Sequence, residues 1–164
     1  MKEKRSMELI KRLKLDAICS WIIAIVLSVV TISFFVRFLM LINTSNYDIK
    51  EIDDVISFFT RLFSITIAQI ILSFMLRNII NTGRPFSSNN ASKIRAIAIV
   101  LICSFPLEII LTLIGHGMCS TQNANLICIN YEGIILMFIG TIIGIISEIF
   151  FYGKELEDEM DQIA

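Results

Sequence analysis

Histidine is nearly absent from this chain: His116 stands alone in 164 residues. A single imidazole removes the HExxH zinc site, the Ser-His-Asp triad and any multi-histidine metal centre. No Gly-rich phosphate-binding loop is present. Charge is also scarce, at 18% of residues, where soluble domains carry about 25%. These shortages exclude a soluble enzyme, a nucleic-acid-binding domain and a disordered regulator. No catalytic residue, metal ligand or cofactor is assigned, and the chain reads as no enzyme.

What replaces charge is apolar sequence. Hydrophobic residues make up 55% of the chain and the mean hydropathy is +0.77. The excess falls into four blocks, at about 17–36, 55–76, 96–114 and 133–152. A helix of about 20 residues rises 1.5 Å per residue and crosses a hydrocarbon core about 30 Å thick. A span must pair its backbone amides internally, and four isolated segments cannot close a barrel, so the spans are helices. The fold class expected is all-α: a polytopic membrane protein with four transmembrane helices in a bundle. It forms a single domain over 1–164, with a short acidic tail at 153–164. The first apolar run is too long for a signal peptide and lacks a small-x-small cleavage site, so it is expected to be retained.

Lys and Arg in the flanks set the expected orientation. The segment before the first span holds Lys2, Lys4, Arg5, Lys11, Arg12 and Lys14. The second linker holds Arg77, Arg84, Lys93 and Arg95, with no acidic residue. The first linker is acid-rich, with Asp48, Glu51, Asp53 and Asp54, and the third has no Lys or Arg. Both termini and the second linker are therefore expected in the cytoplasm. The same rule accounts for the basic patches without direct nucleic-acid binding.

That topology divides the cysteines. Cys19 and Cys103 fall in spans, where a thiol behaves as a small hydrophobe. Cys119 and Cys128 share the outer loop 115–132, facing an oxidising compartment, and are expected to pair as a disulfide. The first outer loop has no cysteine, unlike the thiol oxidases that pass electrons between two cysteine pairs.

Charges inside spans are rare and face the bundle interior or one another. Arg61 lies six residues into the second span and Glu108 six residues before the end of the third. Both are then about 9 Å deep in the outer leaflet, and an Arg61–Glu108 pair is expected, with Arg37 the rival donor. Pro106, two residues earlier, cannot donate to the Ile102 carbonyl and is expected to kink the span for packing. Ser57, Arg61, Ser64 and Ala68 share one face of the second span. Gly140 and Gly144, at GxxxG spacing, let two backbones approach closely, either within the bundle or between copies in a homo-oligomer. Trp21, Tyr131 and Tyr152 fit interfacial belts.

Two cytoplasmic segments form a signature. One is Gly83-Arg84-Pro85-Phe86, followed by a polar run and Lys93-Ile94-Arg95. The other is the end of the fourth span, where Glu148, Ile149, Phe150, Gly153, Leu156, Glu159 and Asp161 fit an E-I-F-x-x-G-x-x-L-x-x-E-x-D pattern. Together they resemble the bacterial membrane family catalogued as domain of unknown function 2975, over most of the chain. The resemblance implies four membrane helices, no established activity, and genes often beside a small helix-turn-helix regulator.

The leading expectation is a bacterial inner-membrane protein that acts by interaction in the bilayer, tethering or controlling such a regulator at its basic loop and acidic tail. The alternative is a small transporter or channel-like protein built on the Arg61–Glu108 level.

Overall fold

The computed structural model describes residues 2–42, 49–83, 85, 87–118 and 131–163. They form four helices: α1 (Lys2–Ile42), α2 (Ile49–Thr82), α3 (Ser88–Met118) and α4 (Tyr131–Ile163). Each is long and apolar enough to cross a membrane. Each apolar block lies inside one helix, and every helix runs past its block into charged flanking sequence. At 41 residues, α1 is about 60 Å long, twice the hydrocarbon thickness. His116 lies on the last turn of α3 rather than in a loop, and α3 passes through Pro106 uninterrupted.

Consecutive helices pack in a row: α1 on α2, α2 on α3 and α3 on α4. Among the described residues, α1 has no helix-length contact with α3 or α4. The row therefore leaves α1 and α4 at its two edges. The core lies along α2 and α3, at residues such as Ile56, Thr60, Ala98 and Leu101.

Polar side chains carry much of the helix pairing, since lipid offers no hydrophobic gain for bringing helices together. Between α1 and α2, Ser20 and Ser73 hydroxyls lie 2.7 Å apart, and Thr31 and Thr66 hydroxyls 2.9 Å. The Gln69 amide donates to the Ser20 carbonyl and hydroxyl oxygens. Phe34 stacks on Phe58, and Trp21 meets Phe74 edge-on. The ring expected at the membrane surface thus also packs α1 on α2.

Gly140 answers the question the GxxxG spacing left open. A Cβ built there would lie 2.9 Å from an Ile102 side-chain atom and 3.0 Å from both the Ala98 carbonyl and the Ile102 amide nitrogen. The close approach is thus between α4 and α3 of one chain. At Gly144 the nearest atom, the Ala98 methyl, is an ordinary 3.7 Å away. Gly140→Val is therefore expected to cost about 1–3 kcal/mol, since backbone cannot yield as a side chain can. Gly144→Ala is expected to cost less than 1 kcal/mol. Thermal unfolding in detergent compares them, and equal losses would remove Gly140 as the contact point.

Candidate functional site

Two clusters collect the charged and polar groups, one toward each end of the α2–α3 pair. The first lies toward the N-terminus of α2 and the C-terminus of α3. Ser57, Thr60, Arg61 and Ser64 are buried on α2, and Ser104, Glu108 and Thr112 on α3. Several hydroxyls satisfy themselves on their own helix: Thr60 donates to Ile56, Ser64 to Thr60 and Ser104 to Leu101.

Arg61 does not pair with Glu108. Its Nε donates to the Ser57 carbonyl at 2.9 Å, its guanidinium lies over the Phe58 ring, and its ion-pair partner is Glu132 in the first turn of α4. Side chains on a helix tilt toward its N-terminus. α2 and α3 run in opposite directions, so Arg61 and Glu108 point apart even where their Cα atoms are level. Glu132 tilts the same way as Arg61 and meets it. Depth counted in residues had ignored this tilt.

Glu108 is 5% exposed, and its Oε2 atom has no hydrogen-bond partner. It lies against the Cα of Gly133, where an added Cβ would stand 3.0 Å from Oε2 and 2.8 Å from the Phe105 ring. Gly133 thus lets α4 sit on α3 directly above the carboxylate. Beside this point is a cavity of about 270 Å³ lined by Phe58, Arg61, Leu62, Ile65, Glu132 and Leu136. It is an apolar recess with an ion pair at its wall, and Glu108 is not among its lining residues.

The second cluster is the α2–α3 turn with the adjoining stretch of α4. Gly83 has φ +66° and donates its amide to the Ile79 carbonyl, so it ends α2 in the left-handed conformation that glycine tolerates best. Ser87 caps α3: its hydroxyl accepts from the Asn90 amide. Asn90, fully buried, donates to the Pro85 carbonyl at 3.1 Å and accepts from Asn78 at 2.8 Å. Ser147 of α4 donates to the Ala91 carbonyl. Arg95 pairs with Glu148 and lies over the Phe151 ring. Gly83, Pro85 and Glu148 are therefore drawn into one region by Asn78, Asn90, Ser147 and Arg95.

The remaining motif residues follow along α4. Phe150 and Gly153 are half-buried, Leu156 and Glu159 are exposed, and Asp161 lies in the last turns. Phe86, Cys119 and Cys128 lie outside the described residues. Cys19 and Cys103 are free and exposed. Among the described residues, no three His, Cys, Asp or Glu side chains gather as metal ligands.

Sequence reading missed Glu132, Asn78, Asn90 and Ser147. A signal existed for Glu132 alone, as an acidic residue opening the fourth span with a glycine behind it.

The ion pair and the lone carboxylate should respond differently to mutation. Glu132 is 67% exposed, so a double-mutant cycle of Arg61→Leu and Glu132→Gln should give a coupling of about 0.5–1 kcal/mol, as for other solvent-open pairs. Glu108→Gln should leave the melting temperature unchanged or raise it, because no ion pair is lost. A fall matching that of Arg61→Leu would show that Arg61 serves Glu108 after all. Comparison with protein-family models, curated proteins and solved structures finds nothing that matches the chain.

Proposed function

We propose that the chain is a multi-pass protein of a bacterial inner membrane, with both termini in the cytoplasm, that works by interaction at its cytoplasmic end. Its partner on this reading is a small helix-turn-helix regulator, as the resemblance to domain of unknown function 2975 implies. The observation that carries the proposal is the Arg95–Glu148 ion pair, with Arg95 also over Phe151. It fastens the basic start of α3, with Lys93 and Arg95, to the stretch of α4 that runs into the acidic tail. The tail 153–164 carries five acidic residues and one lysine. A rigid surface with both signs of charge side by side suits docking of a folded partner, because complementary charge fixes orientation as well as rate.

A second reading, a small transporter or channel-like protein, is favoured by Glu108 alone. A carboxylate held 95% buried with an unpartnered oxygen costs stability that packing does not require, and intramembrane acids commonly mark ion or substrate paths.

One experiment separates them. The chain is co-expressed with the helix-turn-helix protein encoded beside its gene, and the membrane-bound share of that protein is measured. Interaction predicts a mostly membrane-bound regulator, released severalfold by Lys93→Gln with Arg95→Gln and unaffected by Glu108→Gln. A regulator that stays soluble beside the native chain, or a gene neighbourhood without one, contradicts the proposal.

A further inference from the structure

The two edges of the row carry matching exposed seams. The exposed apolar face of α1 is broad, and Leu15, Ile18, Ile22, Ile25, Val29 and Ile32, continuing to Leu39, run along it at alternating steps of three and four. On α4 the same spacing links Ile135, Phe138, Ile142, Ile145, Ile149 and Tyr152, continuing to Leu156. An average step of 3.5 is the spacing of a coiled-coil seam. Each seam faces away from the helix that its own helix packs on most closely. The residues of α1 buried against α2 include Ala17, Ser20, Ala24 and Thr31, and those of α4 against α3 are Gly133, Gly140 and Ser147. Both sets are offset from the exposed seams by two residues, about 200° around the helix.

Lipid alone can cover such seams inside a membrane. Outside it, charge selects a partner. Four crossings bring the start of α1 and the end of α4 to the same side. There α1 exposes Lys11, Arg12 and Lys14, while α4 exposes Glu155, Asp158 and Glu159. Residues 1–16 hold six basic and three acidic residues, and 153–164 one basic and five acidic. Among the described residues these opposite charges lie on α1 and α4, which do not pack extensively on one another. Pairing α4 with α4 of another copy would set acid against acid, and α1 with α1 base against base.

We infer that a second copy of this chain closes the row. In a two-fold dimer, α1 of each copy lies antiparallel against α4 of the other, and both edges are covered by one symmetric contact. The register follows from depth, which a two-fold axis along the membrane normal preserves. Ser20 meets Ser73, Asn78 meets Asn90 and Ser147 meets Ala91. Leu15 then lies level with Ile149, and Lys11 beyond it comes within a turn of Glu155. Asp158 is already engaged by Lys154 at 3.3 Å.

Two differently tagged copies, both with Cys19, Cys103, Cys119 and Cys128 replaced by alanine, are co-expressed. One carries Leu15→Cys and the other Ile149→Cys, and membranes are oxidised before analysis. A disulfide between unlike tags is expected as the main product. Lys11→Glu with Lys14→Glu should lower its yield about tenfold, and Glu155→Lys with Glu159→Lys in the partner should restore it. Zero-length amine-to-carboxylate cross-linking of the unaltered protein should likewise join residues 11–14 to 155–159 in the dimer band. Products confined to Leu15→Cys with itself or Ile149→Cys with itself overturn the inference, as does an unaltered protein that yields no cross-linked dimer.

Discussion

The hydroxyl, amide and charged groups that these helices carry into apolar surroundings each need a partner, because an unpaired buried polar group costs about 1–3 kcal/mol. That constraint decides which helices touch. Ser20 with Ser73 and Gln69, and Thr31 with Thr66, bind α1 to α2. Asn78 with Asn90 clamps α2 to α3 across the turn. Ser147 on the Ala91 carbonyl, and Arg95 on Glu148, bind α3 to α4. Glycine acts alongside them, since Gly133 and Gly140 bring α4 near enough to α3 for the Ser147 hydroxyl to reach backbone.

Glu108 stands out against this background. The hydroxyls around it are satisfied on their own helices, and Arg61 is drawn off to Glu132. Its Oε2 is the one fully buried side-chain polar atom without a partner among the described residues. The two ends of the α2–α3 pair therefore differ in kind. At the turn, Gly83, Ser87 and Asn90 all have hydrogen-bond partners, whereas the Glu108 level keeps an unpartnered acid beside a small recess.

The four helices were legible because apolar blocks of about 20 residues have a single physical use. Their true lengths were not, since the charged flanks of α1 and α4 continue the helix without adding hydropathy. Gly83 and Pro85 stood out in the sequence as part of a signature segment, but the buried asparagine that holds the turn, Asn90, lies in a polar run with nothing to distinguish it. The small-residue pair on α4 was visible, yet only coordinates show that Gly140 meets α3 while Gly144 is merely near it. The Arg61 pairing failed on side-chain direction, which depth counted along a helix does not contain.

The central claim is that the chain is an open row with α1 and α4 at its edges. Spin labels at Ile22 and Ile142, in copies diluted with unlabelled protein so that only distances within one chain are read, test it most directly. Helix axes in contact are about 8–10 Å apart, so three steps along a row put the α1 and α4 axes roughly 24–30 Å apart, and labels on the outward seams farther still. A separation near 10 Å would mean that α1 and α4 of one chain touch, closing the ring and contradicting the account.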